Sequence, residues 1–208
     1  MTVWTKICGI TNEQDARAAV QSGADALGFI FAPSPRLISP EEARRIINAL
    51  PPSIQTVGVF VDEDPGRVSS VAEMCGLDIL QFHGGESAEY CQRFDQWVIK
   101  AVRLRSRQDL MGLAKYDGVV QALLLDTYLP DKAGGTGMTF NWQWAVEARK
   151  YGRIILAGGL SPENVAAAVS LVKPYGVDAS SSLEQSPGIK DHEKIRQFIE
   201  RVRQTARE

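Results

Sequence analysis

Short apolar runs recur along the chain and are separated by amphipathic segments. The runs are rich in Val, Ile, Leu and Phe, and they do not alternate cleanly with polar residues. Strands covered on both faces have this composition, as in a parallel sheet. We predict eight strands, at residues 6–10, 26–31, 56–61, 78–82, 97–102, 122–126, 154–158 and 176–180.

The segments between these runs carry helix signals. Thr11 and Gln14 predict a capping box, and Gly23 predicts the end of that helix. Ser39 followed by Pro40 predicts the start of the second helix. Six more helices are predicted to begin near Asp64, Ser87, Ser106, Asn141, Ser161 and Asp191.

The order of these elements predicts an α/β fold. Eight strands alternate strictly with eight helices, and right-handed crossovers between parallel strands give either an open doubly wound sheet or a closed barrel. No dinucleotide-binding fingerprint is present, which favours a single (β/α)8 TIM barrel. No linker divides the 208 residues, so we assign residues 1–208 to one domain.

Composition narrows the class of protein. The net charge of -2 offers no basic face for nucleic acid. No apolar run approaches the roughly 18 residues of a membrane span, and no secretory signal is seen. Three widely spaced cysteines favour free thiols in a reducing cytoplasm over a disulfide framework or a zinc site. We expect a cytoplasmic protein without nucleic-acid or membrane partners, and a monomer.

Candidate chemistry lies where the strands end, because barrel enzymes place their active sites there. Cys8 ends the first strand and is either a buried hydrophobe or a general base. Asp126 follows four apolar residues and is either a cap or solvated carboxylate, or a general acid whose pKa burial raises. Strands one and six lie roughly opposite, so this pair suits an isomerisation that requires no cofactor or metal.

The last two strand ends indicate an anion site. Gly158 and Gly159 precede a predicted helix start, and Asp178, Ser180 and Ser181 lie in the neighbouring strand end. Backbone amides near glycines and helix starts favour negative charge, and this fold often holds phosphate there. We therefore expect a small phosphorylated substrate. The alternative is that both segments are merely tight turns with helix caps.

Three further candidates lie in other loops. Gly135 belongs to the Gly-rich segment 132–140, which is either a loop that closes over substrate or a passive connection. Arg36 follows two prolines and is either a carboxylate binder or a surface residue. His83 precedes two glycines and is either a structural group or a ligand binder.

The ordered set KICGIT, GADALGFIFAPSPR, VGVFVD, LQFHGGE, LLLDT, GGTGMTFNW, ILAGGLSPENV and GVDASSSLEQSPGIKD covers nearly the whole chain. Taken together it closely resembles the phosphoribosylanthranilate isomerase family of tryptophan biosynthesis. The resemblance implies an Amadori rearrangement of N-(5-phosphoribosyl)anthranilate to 1-(2-carboxyphenylamino)-1-deoxyribulose 5-phosphate. It implies that Asp126 protonates the ring oxygen and that the Cys8 thiolate then removes the proton from C2.

The same resemblance implies binding roles for other residues. Arg36 would hold the anthranilate carboxylate, and Gly159, Ser180 and Ser181 would hold the phosphate. Asp178 would lie beside the ribose hydroxyls or orient the phosphate loop. Ser182 stands where glycine is common in the family, which leaves the phosphate donors open.

Two other functions stay open at this point. A histidine-pathway or dual-substrate isomerase runs the same chemistry on another phosphoribosyl amine, but its base on strand one is an aspartate, so Cys8 favours the anthranilate enzyme. A catalytically silent phosphate-binding barrel would need neither Cys8 nor Asp126.

Overall fold

The computed structural model describes residues 2–127 and 142–207. Eight parallel strands close into a barrel in chain order, with the last strand paired to the first. The predicted (β/α)8 barrel is therefore confirmed. The strands are β1 (Trp4–Cys8), β2 (Ala26–Ile30), β3 (Gln55–Phe60), β4 (Ile79–Phe82), β5 (Trp97–Leu104), β6 (Ala122–Thr127), β7 (Ile154–Leu156) and β8 (Gly176–Ala179).

Helical segments follow the strands and cover the outside of the barrel. The α-helices are α1 (Glu13–Ser22), α2 (Pro40–Asn48), α3 (Pro65–Cys75), α4 (Ala88–Cys91), α5 (Trp142–Ala148), α6 (Val165–Val172) and α7 (His192–Thr205). The fifth predicted helix is a 3-10 helix (Arg107–Tyr116). Shorter 3-10 turns occupy Arg149–Tyr151 and Ser181–Leu183, and an unpredicted hairpin joins β9 (Glu184–Ser186) to β10 (Ile189–Lys190).

Helix boundaries follow the local capping chemistry, with two corrections. Ser39 forms the predicted capping box of α2. The cap of α1, however, is Asn12, whose side chain accepts from the Asp15 amide at 2.8 Å. Thr11 instead donates its hydroxyl to the Gly188 carbonyl at 2.5 Å. Asparagine is among the strongest N-cap residues, so the cap lies one position later than predicted.

The second correction concerns the start of α6. Regular helix begins at Val165, after a turn, rather than at the predicted Ser161–Pro162. The Val165 amide donates to the Ser161 carbonyl at 3.0 Å, so Ser161 still accepts the first helical bond. The chain therefore turns toward the helix where it was predicted to, but regular geometry starts three residues later.

The barrel wall separates two apolar layers. Outward residues of the strands pack against the helices and form the larger cluster. Inward residues form a smaller cluster of mostly small or branched side chains: Ala26, Val57, Ile79, Ile99, Ala101, Ala122, Leu124, Ile155 and Ala157. Toward the carboxyl ends of the strands, the inward positions become polar. That change in character marks the end of the barrel where chemistry can take place.

Candidate active site

A cavity of about 220 Å³ opens at the carboxyl ends of the strands. Of the ten candidate residues, Gly135 lies outside the described residues, and Arg36 lies beyond the cavity lining. The other eight line this cavity: Cys8, His83, Asp126, Gly158, Gly159, Asp178, Ser180 and Ser181. The fold thus brings together residues that are far apart in the sequence.

Strand register explains the surroundings of Cys8. In the β1–β8 pair Lys6 is opposite Asp178, and in the β1–β2 pair Cys8 is opposite Gly28. All four positions face inward, so Lys6 Nζ meets Asp178 Oδ1 at 2.8 Å inside the barrel. A Cβ on Gly28 would lie 2.7 Å from Cys8 Sγ and 3.0 Å from Lys6 Cε, so only glycine leaves room for both groups.

The charges around Cys8 do not cancel. Three cations, Lys6, Lys190 and Arg36, interact electrostatically with the thiol. They face two carboxylates. Asp178 pairs with Lys6, while Glu184 pairs with both other cations, because Lys190 Nζ lies 2.9 Å and Arg36 Nε lies 2.7 Å from Glu184 Oε1. One positive charge is left over, and a thiolate at Cys8 would balance it.

Burial nevertheless works against ionisation of the thiol. Desolvation raises the pKa of Cys8 above its usual value, and the neighbouring lysines Lys6 and Lys190 only partly offset that rise. Desolvation also acts against the Lys6 ammonium, but the paired carboxylate of Asp178 leads the interactions that outweigh it and raise the pKa of Lys6. The Lys6 ammonium is therefore favoured beside a thiol whose ionisation burial opposes.

Two side chains, His83 and Gln81, connect Asp126 to the barrel interior through consecutive hydrogen bonds. His83 Nε2 lies 3.1 Å from Asp126 Oδ2, and His83 Nδ1 lies 3.1 Å from Gln81 Nε2. Gln81 is 1% exposed and also lines the cavity. His83 is thus a partner of the candidate acid, a contact that the sequence did not reveal.

Arg36 holds a carboxylate, but that carboxylate belongs to the protein. Its Nε and Nη2 atoms each donate to Glu184, at 2.7 Å, in a bidentate pair. These hydrogen bonds outweigh burial and raise the pKa of Arg36. Nη1 donates to none of the described residues. Whether Arg36 also binds a substrate carboxylate stays a prediction.

The ends of β7 and β8 form the part of the cavity wall where an anion site is predicted. Gly158 and Gly159 have φ angles of 71° and 73°, a left-handed conformation that favours glycine. Ser180 Oγ is buried, and no described residue hydrogen-bonds to it. Ser182 lines the same cavity and donates its hydroxyl to the Leu160 carbonyl, which ties the two loops together. An unpaired buried hydroxyl between two such loops suits an anionic ligand.

Sequence reasoning missed several residues of this site. Gln81 and Lys6 lie within apolar runs, and Glu184 and Lys190 belong to the unpredicted hairpin β9–β10. Within residues 2–127 and 142–207, His, Cys, Asp and Glu side chains form no cluster able to hold a metal ion. Across the same residues, every helix is too short or too polar to cross a membrane.

Comparison with known proteins finds a family model and relatives that match most of the chain. Residues 5–201 match the family model described as N-(5'-phosphoribosyl)anthranilate (PRA) isomerase. The N-(5'-phosphoribosyl)anthranilate isomerase of Geobacter sp. (strain M21) is 54% identical over 195 residues, which cover 93% of this chain and 95% of that protein. The enzyme of the same name from Desulforudis audaxviator is also 54% identical, over 202 residues covering 96% of this chain and 97% of that protein.

Solved structures agree with the sequence comparison. The crystal structure of phosphoribosyl anthranilate isomerase from Thermotoga maritima superposes with a TM-score of 0.92 at 45% identity, covering 98% of this chain and 100% of that one. A second structure is a complex of the isomerase with reduced 1-(o-carboxyphenylamino)-1-deoxyribulose 5-phosphate. It superposes with a TM-score of 0.89 at 42% identity, with the same coverage.

Proposed function

The chain belongs to the N-(5'-phosphoribosyl)anthranilate isomerase family, an isomerase family of tryptophan biosynthesis, and we propose that Asp126 and Cys8 carry out its acid and base steps. The substrate is N-(5-phosphoribosyl)anthranilate and the product is 1-(2-carboxyphenylamino)-1-deoxyribulose 5-phosphate. One observation carries the assignment of residues. Asp126 and Cys8 line the same cavity from β6 and β1, with a phosphate-suited wall at β7 and β8.

The reaction needs one proton delivered and one removed. Asp126 protonates the ribose ring oxygen, and the ring opens to a Schiff base. Cys8, as thiolate, then removes the proton from C2, and the enolamine tautomerises to the ketone. The rearrangement only moves protons within one molecule, and a positioned general acid and general base can carry such transfers.

The lysines around Cys8 work in favour of its ionisation. The thiol is buried, and desolvation raises its pKa and so opposes the thiolate. Lys6 and Lys190 favour the thiolate. Closure of the site around substrate excludes water and strengthens these charge interactions. Lys6, Lys190 and Arg36 together exceed the charge of Asp178 and Glu184 by one, and this excess positive charge stabilises the Cys8 thiolate.

Binding follows from the polar groups at the cavity edge. Gly159, Ser180 and Ser181 take the phosphate through backbone amides and hydroxyls. Arg36 takes the anthranilate carboxylate through Nη1, which Glu184 leaves unoccupied. Asp178 holds Lys6 in place and lies beside the ribose. Gly135 lies in the loop after Asp126, and its role in closing the site stays a prediction.

The decisive experiment follows the loss of phosphoribosylanthranilate fluorescence in wild type, Cys8→Ser and Asp126→Asn. Each variant should lower kcat by at least about 100-fold, the usual share of a general acid or base. Cys91→Ser is the matched control, because Cys91 is a buried thiol outside the cavity and its loss should leave kcat unchanged. Near-normal turnover in Cys8→Ser would remove the base assignment. Turnover of the histidine-pathway substrate by wild type would indicate the dual-substrate alternative.

A further inference from the structure

The side chains of Gln81, His83 and Asp126 form a continuous chain from the barrel interior to the proposed acid. Gln81 leaves β4 facing inward, beside the inner apolar cluster, and is 1% exposed. Its Nε2 lies 3.1 Å from His83 Nδ1, and His83 Nε2 lies 3.1 Å from Asp126 Oδ2. The histidine therefore reaches Asp126 on one side and a buried amide on the other.

The amide decides which ring nitrogen carries hydrogen. An amide nitrogen only donates, so His83 Nδ1 must accept from Gln81. A neutral imidazole then has its single hydrogen on Nε2, which donates to Asp126 Oδ2. Asp126 Oδ2 becomes an acceptor. When Asp126 acts as the acid, its proton therefore sits on Oδ1, which hydrogen-bonds to no described residue.

The opposite arrangement would work against proton donation. If Nδ1 carried the hydrogen, the Nε2 lone pair would face Asp126. It would either repel the carboxylate or draw the acidic proton onto Oδ2, away from the substrate. A hydrogen bond to a carboxylate is about twice as strong as one to its neutral acid. An Nε2–H donor thus stabilises Asp126 increasingly as it gives up its proton, and this assists the chemical step.

A second observation concerns the other end of the amide. Gln81 Oε1 is buried, and no described residue hydrogen-bonds to it. Buried polar atoms without a partner are uncommon, and Gln81 lines the substrate cavity. The free oxygen is an acceptor for a hydroxyl donor such as those of the bound sugar. Such a bond would fix the amide in the orientation that points Nε2 at His83.

We propose that Gln81 is a positioning residue of the isomerisation: it holds His83 as the Nε2–H tautomer, which in turn places Asp126 with its proton on the cavity side. This inference rests on the proposed role of Asp126 as the acid. The tautomer itself can be measured without any substrate, so the two proposals can fail separately.

The test uses the full chain labelled with 15N-histidine. Long-range 1H–15N correlation spectra distinguish protonated from unprotonated ring nitrogens, and the chain has only two histidines. The second is His192, and a His83→Asn sample assigns the signals. We expect wild type to show the Nε2–H form of His83 at neutral pH, Gln81→Met to show a mixture, and Gln81→Glu, which replaces a donor with an acceptor, to show hydrogen on Nδ1.

Activity provides the second readout. Gln81→Met should lower kcat on the order of tenfold or more while KM changes by less than about threefold, and Gln81→Glu should lower kcat further. The control is Gln55→Met, the same replacement at the opposite end of the barrel, where Gln55 accepts from Trp4 Nε1 at 2.8 Å. That variant should leave both the tautomer and kcat unchanged.

The proposal is overturned if wild-type His83 is the Nδ1–H form or the imidazolium, or if Gln81→Met keeps the wild-type tautomer. A mixed tautomer with unchanged kcat would equally remove the positioning role. If Gln81→Met does not fold, the wild-type and Gln81→Glu spectra still decide. Retained turnover in Asp126→Asn would instead defeat the proposed function and leave the tautomer result standing.

Discussion

Two lysine–carboxylate pairs are buried toward the carboxyl end of the barrel, one on each side of its wall. Lys6 Nζ lies 2.8 Å from Asp178 Oδ1 on the inner side. Lys100 Nζ lies 2.9 Å from Glu86 Oε2 on the side that packs against the helices. The two pairs have the same chemistry and nearly the same burial, so burial of charge alone does not indicate function.

The outer pair organises backbone. Lys100 Nζ also donates to the carbonyls of Phe82 and Gly84, at 3.1 and 2.7 Å. Glu86 accepts from the amides of Asp62 and Gly84, at 2.8 and 2.9 Å. Every one of these added contacts ends on a main-chain atom, either of Phe82 at the end of β4 or of the loops after β3 and β4. The outer pair therefore fixes the shape of those loops.

The inner pair instead lies beside a reactive side chain. Lys6 interacts with Cys8, and Asp178 lines the cavity with it. The outer pair also has a neighbouring cysteine, Cys91, whose pKa burial raises to about 11 even though Lys100 lowers it. What distinguishes Cys8 is access to the cavity and the additional cation Lys190. Surroundings beyond the ion pair decide which thiol can act.

The sharpest test of this comparison removes each lysine in turn. Lys6→Met and Lys100→Met should both lower the free energy of unfolding by about 3 to 5 kcal/mol, because each leaves a buried carboxylate unpaired. Lys6→Met should also lower kcat by about 100-fold, since the thiolate loses a neighbouring cation. Lys100→Met should lower kcat much less, because it reaches the site only through the loop that carries His83. Urea unfolding and steady-state kinetics on the same preparations measure both effects.

A double variant guards against a misfolded single variant. Lys6→Met/Asp178→Asn removes both charges of the inner pair and leaves no buried charge without a partner. It should regain most of the lost stability while kcat stays low. Equal losses of kcat in Lys6→Met and Lys100→Met would show that the inner pair has no role beyond folding.

The second prediction uses two glycines that sit on opposite faces of the wall. Gly28→Ala places a Cβ 2.7 Å from Cys8 Sγ, so the thiol must move, and kcat should fall about tenfold. Gly58→Ala places a Cβ 2.5 Å from Leu77 Cδ1 on the outer face. That crowding should cost about 1 to 3 kcal/mol of stability with kcat unchanged. If Gly28→Ala keeps full turnover, the thiol does not need its observed position.

The pattern of apolar residues predicted the barrel because its strands are covered on both faces. It did not predict the 3-10 helix, although the buried residues Leu110, Leu113 and Tyr116 recur every three positions, which is the period of that helix. The hairpin β9–β10 was missed because its strands of three and two residues carry no apolar run.

The sequence predicted those site residues whose type is unusual at the end of an apolar strand. Cys8 and Asp126 stand at strand ends, where a thiol or an acid invites explanation. Lys6 lies inside an apolar run, and its partner Asp178 is 172 residues away in the sequence. Only the β1–β8 register brings the two side by side. The contact between Gln81 and His83 likewise depends on which way each side chain leaves the end of β4.

A third prediction measures the thiols directly. Iodoacetamide reacts with the thiolate, so the pH at which each cysteine becomes reactive follows its pKa. The pKa of Cys8 is raised, so alkylation at neutral pH should be slow and should increase only as pH rises above about 8.5, the usual thiol value. Lys6→Met should move the Cys8 profile to higher pH, and Lys100→Met should move that of Cys91.

Peptide mass spectrometry measures the alkylation of Cys8 and of Cys91 in the same sample. Each lysine variant therefore serves as the control for the other. The expected result is a reciprocal pattern, with each substitution shifting its own cysteine alone. A shift of Cys8 in Lys100→Met would mean that the wall does not isolate the two pairs from each other.

The smallest effect is expected for an ion pair at the surface. Arg196 on α7 bonds to Glu193 and Glu200, yet half of its side chain is exposed. Water and salt screen such a pair, and ordering two long side chains offsets the attraction. Arg196→Met should therefore leave the urea midpoint and kcat unchanged within error. Arg196→Met could instead lower the free energy of unfolding as much as Lys100→Met does. Loss of the ion-pair attraction itself, and not the burial of an unpaired carboxylate, would then account for the cost at the buried pairs.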